Sequence, residues 1–282
     1  MTKRIINTAE IEKAVIEGIK DANFILSDEV LNIFHDMEKR ENLPLSKYTI
    51  NLLQENAKIA KDEMIPLCQD CGTVVIFINI GQDIELKGEF LDDVVNRGVE
   101  KAYKELYLRK SMVGDPLRRK NTENNTPAFI HTEIVAGNSL DVTIYIKGGG
   151  SENMSSLKMF KPTDTIDDIC NYIEEEMKRV GPNPCPPVFL GIGIGGTADV
   201  AMINAKKALL RGASTSHSNL FYRELEIKLY NRLNKLNIGA LGFGGNNTVA
   251  GVYIQEAGTH IATLPVALNF NCHSLRLKKI RL

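Results

Sequence analysis

Residues 73–80, TVVIFINI, decide the fold class of this 282-residue chain. The segment is short, apolar and rich in β-branched residues, which is typical of a buried strand. Before it, apolar side chains recur at helical spacing, in stripes that include Ile11 and Val30. After it, strand and helix patterns are mixed to the end of the chain. The sequence therefore predicts a mixed α/β (α+β) fold, with a helical N-terminal segment (about 1–65) packed on mixed β-sheets flanked by helices (about 66–282).

The remaining elements follow from the same periodicities. Helices are predicted after the caps Asn7 (paired with Glu10) and Ser27, and at 47–61, 91–109, 166–180, 198–210 and 220–236. Further strands are predicted at 129–135, 140–146, 188–194, 249–254 and 266–270, with a turn at Asn138 between the first two. One domain spanning residues 1–282 accommodates all of them.

The charge balance excludes some function classes. Lysine and arginine number 34 against 35 aspartate and glutamate, a net charge of −1. This argues against nucleic-acid or membrane binding driven by bulk charge.

No apolar run approaches the ~20 residues of a membrane span. The first residues, MTKRIINTAEIEKAV, lack the apolar core of a signal peptide, so we expect a cytoplasmic protein.

The five cysteines are the most informative residues. An odd number without an export signal indicates thiols, metal ligands or redox groups rather than a disulfide framework. Cys170 lies on an apolar helical stripe and is expected in the core. Cys68 and Cys71 (IPLCQDCGT), Cys185 (GPNPCPPVF) and Cys272 (NFNCHSLR) lie in loops at strand ends, where α/β proteins place ligand sites.

Spacing leaves several interpretations of these four cysteines open. Cys68 and Cys71 form a CxxC, yet the βαβ context of a thioredoxin-like pair is missing. A zinc site would need Cys185 with Cys272 or His273 as its other ligands. Dispersed thiolates can also hold an iron–sulfur cluster, and simple buried thiols remain the plainest alternative.

Three glycine-rich loops offer backbone N–H groups to a ligand. They are GGGSEN (148–153), GIGIGG (191–196) and GFGGNNT (242–248). The second contains GxGxxG between a strand and a helix, but no acidic residue follows about 20 positions later, so a dinucleotide site is weakly indicated. The start of the following helix could instead attract a carboxylate. Plain flexible loops are the competing interpretation.

Four polar residues complete the candidates. Asp70 and Gln69 adjoin Cys68, where a carboxylate could transfer a proton or could simply accept hydrogen bonds in a turn. Arg109 could clamp a substrate carboxylate or could be a solvated arginine at a helix end. His260 stands in an apolar context, and a core histidine is the competing interpretation.

Taken in order, several segments resemble the α subunits of iron–sulfur hydro-lyases, the oxygen-sensitive class I fumarate hydratases and L-tartrate dehydratases. The resemblance covers nearly the whole chain. Its segments are CQDCG, NTENNTPAFIH, GGGSENMSSLKMFKP, GIGIGGTADVAMINAKKAL, GFGGNN and THIATLPVALNFNCHSLR. The chain departs from the family pattern at Cys71, where threonine is usual, at Glu123–Asn124, where Gly-Asp is expected, and in GGNN.

The resemblance implies a [4Fe–4S] cluster held by three thiolates, which leaves one iron open to substrate. The implied ligands are Cys68, Cys185 and Cys272. The same resemblance implies Asp70 and His260 as catalytic residues. It implies that substrate is bound by Gln69, Arg109 and Gly149.

The implied activity is the reversible hydration of fumarate to (S)-malate. The alternative within the family is dehydration of L-tartrate to oxaloacetate. Single-chain relatives continue into a second domain, whereas this chain ends at Leu282, so a separate β subunit and an α2β2 assembly acting on a small dicarboxylate are expected. Outside the family, a zinc-stabilised binding module using the four loop cysteines is the alternative, with a nicotinamide oxidoreductase third.

Overall fold

The computed structural model describes residues 3–282. In chain order its elements are β1 (Arg4–Asn7), α1 (Thr8–Phe24), α2 (Asp28–Arg40), α3 (Pro44–Glu63), β2 (Thr73–Gly81), β3 (Ile84–Lys87), α4 (Leu91–Glu105), β4 (Phe129–Val135), β5 (Leu140–Lys147), α5 (Gly149–Glu152), β6 (Ser156–Phe160), α6 (Ile166–Val180), β7 (Val188–Gly195), α7 (Ala198–Leu209), α8 (Leu220–Asn234), β8 (Val249–Ala257), β9 (Leu264–Asn271) and β10 (Arg276–Arg281). The predicted mixed α/β class is confirmed.

The first two helices begin at the predicted caps. Asn7 and Glu10 form a capping box at the start of α1. The Ser27 hydroxyl accepts a hydrogen bond from the Val30 N–H (3.4 Å) at the start of α2. Each cap satisfies a backbone donor that the helix leaves unpaired, which fixes where the helix begins.

The chain divides into two compact units. The first comprises residues up to Leu26, Ala57–Gly149 and Arg276–Leu282. Its main sheet has the order β10-β5-β2-β4, and a smaller parallel pair joins β1 to β3. Alternate residues of β2 and β5 share a buried core with α1 and α4, as period-2 strands and amphipathic helices require. This core supports the loop that precedes β2.

The second unit comprises Ser27–Asn56 and Gly150–Leu275. Its sheet has the order β6-β9-β7-β8, with β7 parallel to β8 and antiparallel to β9. Leu190 and Ile192 of β7 share an apolar core with α6 and α8. Ala267 of β9 points to the opposite face, where it packs with Ala201 and Ala205 of α7. Helices therefore cover both faces of this sheet.

The turn predicted at Asn138 joins strands that do not pair with each other. Both strands, β4 and β5, are confirmed. Strand β2 lies between them, parallel to β4 and antiparallel to β5. The turn at Asn138 therefore connects two strands that lie on either side of β2 and does not form a β-hairpin.

The first two glycines of GxGxxG bring a helix close to a strand. A Cβ on Gly191 would lie 2.0 Å from the Ala205 carbonyl oxygen, and one on Gly193 would lie 1.9 Å from the Ala201 carbonyl oxygen. Both obstacles are backbone atoms of α7, which cannot rotate away. Close helix–strand packing accounts for these two glycines without a dinucleotide.

Replacing Gly193 with alanine should therefore destabilise the protein by about 3 kcal/mol, at the upper end of overpacking costs. Denaturant unfolding of the purified chain measures the change. Gly258→Ala is the matched control in the same unit, because nothing lies within 4 Å of its added Cβ. Equal stabilities of the two variants would contradict this packing argument.

Some features lie beyond the sequence prediction. Strands β1, β3, β6 and β10 were not predicted. The assignment of residues 1–282 to one catalytic domain stays a prediction. Among residues 3–282, no helix combines the length and the apolar character needed to cross a membrane.

Candidate active site

The CQDC loop precedes β2 and places its two cysteines in different surroundings. Cys71 is 2% exposed and belongs to the core of the first unit, where burial raises the pKa of its thiol. Its Sγ accepts a hydrogen bond from the Arg109 backbone N–H (3.2 Å). Cys68 is half-buried, and its Sγ accepts from the Asp70 N–H (3.4 Å). Cys71 is thus a structural residue, and Cys68 is the accessible thiol of the pair.

The Asp70 carboxylate is held by backbone donors from two loops. Its Oδ1 accepts from the Gly72 N–H (3.0 Å), and its Oδ2 accepts from the Gly149 N–H (2.8 Å). The contact with Gly72 is the hydrogen bond within a turn that the sequence analysis gave as the alternative role of Asp70. The second ties the CQDC loop to the triple-glycine loop, so a carboxylate and a glycine predicted separately are in direct contact.

Arg109 and Gln69 form a polar pair beside this carboxylate loop. Arg109 lies beyond the end of α4, and its Nη1 donates to the Gln69 Oε1 (2.5 Å). Both side chains are exposed. Tyr103 of α4 holds the CQDC loop in place, since its hydroxyl donates to the Cys71 carbonyl (2.6 Å). The exposed Arg109 guanidinium, held by Gln69 of this loop, can bind a carboxylate ligand.

The first unit thus groups the candidates that it contains. They are Cys68, Gln69, Asp70, Arg109 and Gly149. Each is tied to another by a hydrogen bond, although they come from three separate stretches of sequence.

In the second unit, the Cys185 and Cys272 loops are neighbours. His273 donates its backbone N–H to the Cys185 carbonyl (3.1 Å), and its Nδ1 lies 3.2 Å from the same oxygen. Cys185 is exposed and has a φ of 55°, a left-handed conformation that costs a non-glycine residue roughly 1–2 kcal/mol. Cys272 is half-buried just after β9. An exposed thiol on a strained loop is typical of a functional site.

His260 lies in the second unit and is exposed. The core-histidine interpretation is therefore wrong. The side chain lines a cavity of about 710 Å³ formed by the loop after β8 and the first turn of α7. Its Nδ1 accepts from the Ala262 N–H (3.1 Å), which leaves Nε2 as the nitrogen for a ligand.

Cys170 is fully buried on α6, as its apolar stripe predicted, and burial raises the pKa of its thiol. Within neither unit do three His, Cys, Asp or Glu side chains of residues 3–282 form a group that could hold a metal ion. The roles of the candidate residues stay predictions.

Sequence reasoning gave no role to Arg276, although CHSLR was singled out. Arg276 Nη1 donates to the Asp70 carbonyl oxygen (2.7 Å) from the start of β10. Asn125 was also missed; it is fully buried and donates to the Gly72 carbonyl (3.2 Å). The available signal for Arg276 was its position at the end of the CHSLR segment.

Fold and site together define a mixed α/β protein in which thiols and a carboxylate occupy loops at strand ends and an arginine follows the end of a helix. The family model described as fumarate hydratase (Fumerase) matches residues 12–281, and the chain belongs to this family of hydro-lyases. The resemblance drawn from the sequence is confirmed at this level.

Named relatives cover the chain almost completely. A putative L(+)-tartrate dehydratase subunit alpha of Methanocaldococcus jannaschii is 40% identical over 97% of this chain and 98% of its own length. An L(+)-tartrate dehydratase subunit alpha of Escherichia coli (strain UTI89) is 29% identical over 91% of this chain and 85% of its own length. The L(+)-tartrate dehydratase subunit alpha of Shigella boydii is 29% identical over 89% of this chain and 84% of its own length.

Proposed function

We propose that this chain is the α subunit of an iron–sulfur hydro-lyase that adds or removes water at a four-carbon dicarboxylate. The observation that carries the proposal is the hydrogen-bonded group of Cys68, Gln69, Asp70, Arg109 and Gly149. It combines a thiol ligand, a carboxylate for proton transfer and a cation for a substrate carboxylate. These are three functions that an iron–sulfur hydro-lyase acting on a dicarboxylic acid would use.

The five thiols sort into two groups that fit a three-cysteine cluster. Cys71 and Cys170 are buried in apolar cores. Cys68, Cys185 and Cys272 lie outside those cores, in loops. Thiolates are the ligands of [4Fe–4S] clusters, so these three would hold the cluster. When bound, the cluster supplies a Lewis-acidic iron that weakens the bond to a departing hydroxide.

The remaining roles are assigned to residues of this chain. Arg109 binds one substrate carboxylate, and Gln69 holds the guanidinium in place. Asp70 moves the proton bound to the carbon next to a carboxylate. Negative charge builds on the substrate as that proton leaves, and His260 donates a hydrogen bond to it, an effect typically worth ~3 kcal/mol. The glycine N–H at position 149 orients the Asp70 carboxylate.

L(+)-tartrate is the first substrate to test, because relatives across the whole chain carry tartrate dehydratase names. The reaction would convert tartrate to oxaloacetate and water. Hydration of fumarate to (S)-malate is the second candidate, favoured by the description of the family model. The relatives are named α subunits, which supports a β subunit as partner. An α2β2 assembly is part of the proposal.

Anaerobic co-expression with a candidate β chain tests the proposal. The purified complex should contain iron and acid-labile sulfide and should dehydrate L(+)-tartrate, malate or both, with D(−)-tartrate as the stereochemical control. The ratio of kcat/KM values assigns the substrate. Zinc without labile sulfide, together with no activity on any of these acids, would instead favour a zinc-stabilised binding module.

A further inference from the structure

The first unit contains a buried positive charge, Arg276, that makes no ion pair with another residue in the described range 3–282. Arg276 is 1% exposed. Its Nη1 donates to the Asp70 carbonyl oxygen (2.7 Å) and lies 3.4 Å from the Asn23 Oδ1. Its Nε is buried and has no hydrogen-bond partner among residues 3–282. Both acceptors of this guanidinium are therefore neutral, and one of its donors is unsatisfied.

A buried cation is costly unless an anion compensates for it. The nearby Asp70 carboxylate directs its oxygens to the N–H groups of Gly72 and Gly149. Neutral side chains could hold the Asp70 and Asn23 oxygens without the desolvation cost. Folding alone therefore does not account for a full positive charge at position 276.

The charge lies directly behind the loop that carries Cys68. Arg276 binds the carbonyl of Asp70, and the N–H of Asp70 donates to the Cys68 Sγ (3.4 Å). Burial raises the pKa of the Tyr103 hydroxyl, which donates to the Cys71 carbonyl, and the Arg276 charge opposes that shift. The positive field of Arg276 thus reaches the CQDC loop.

We infer that Arg276 is the fixed countercharge of the anionic centre formed when Cys68 binds its cluster. This inference rests on the proposed function and adds a residue that touches neither substrate nor iron. Three thiolates and a dicarboxylate bring negative charge to the site, and a buried cation at a fixed place offsets part of it. Arg276 would thus act by placing a fixed positive charge close to the cluster site.

The test compares R276Q, R276K and R281Q in the complex with the β chain. Arg281 is the matched control, because it lies on the same strand but is 75% exposed and paired with Asp141. The midpoint potential of the cluster, measured by an EPR-monitored redox titration, should shift to more negative values in R276Q. The potentials of R276K and R281Q should stay close to that of the wild type.

Thermal unfolding of the chain without its cluster supplies the second measurement. R276Q should unfold at the wild-type temperature or above it, since it removes an uncompensated buried charge. An unchanged potential in R276Q, or failure of this variant to fold without the cluster, would overturn the inference. A wild-type complex without iron and sulfide would overturn the proposed function itself, and the countercharge with it.

Discussion

Replacing Cys68, Cys185 or Cys272 with serine is expected to reduce the iron and acid-labile sulfide content of the purified complex to background. Each change replaces a thiolate ligand with a hydroxyl that stays protonated, and a cluster held by three ligands cannot lose one of them. The three cysteines lie outside the apolar cores, so folding should be little affected. Iron and sulfide analysis after anaerobic purification, with circular dichroism to verify folding, measures the effect.

The two buried cysteines provide matched controls. Cys71→Ser and Cys170→Ser should retain iron, although a hydroxyl buried among apolar side chains costs roughly 1–3 kcal/mol of stability. The Cys71 site can accommodate a hydroxyl, since its Sγ already accepts the Arg109 N–H. A folded Cys71→Ser complex without iron would move the ligand assignment from Cys68 to Cys71.

Local periodicity explains which elements the sequence could predict. The β-branched run of β2 reflects a strand buried on both faces, and the apolar stripe of α6 reflects one buried helix face. Both elements lie where they were predicted. The missed strands carry mixed signals. SLKMF in β6 and RLKKIR in β10 mix apolar with basic residues without a regular alternation, and each lies at the edge of a sheet. Short edge strands owe their structure to pairing, which no local window contains.

In the candidate site, too, residues that are adjacent in sequence could be predicted together, whereas contacts between distant residues could not. Cys68, Gln69 and Asp70 are adjacent in sequence, so their grouping needed no structure. The contact from Gly149 to Asp70 and that from Arg109 to Cys71 join residues 79 and 38 positions apart. Only the resemblance to hydro-lyases suggested the first, and nothing suggested the second. Arg276 was missed because a buried unpaired cation is defined by its surroundings and not by its neighbours in sequence.

Asp70→Asn is expected to lower kcat by at least about 100-fold, the usual contribution of a positioned proton-transfer group. An amide cannot accept the substrate proton at neutral pH, whereas the ligand Cys68 and the buried Cys71 are untouched. The visible absorbance and iron content of the complex should therefore match the wild type. Steady-state kinetics with L(+)-tartrate and malate, beside the iron content, measure the two effects.

The competing explanation is that Asp70 serves only to hold the triple-glycine loop. The asparagine Oδ1 can still accept from Gly72, but its NH2 group would face the Gly149 N–H, a donor against a donor. A purely structural role therefore predicts weaker binding, with KM raised and kcat nearly unchanged. Proton transfer predicts the reverse, a large fall in kcat with KM changed little. Since the two roles move different kinetic constants, one variant separates them, and a normal kcat in Asp70→Asn would remove Asp70 from the chemistry.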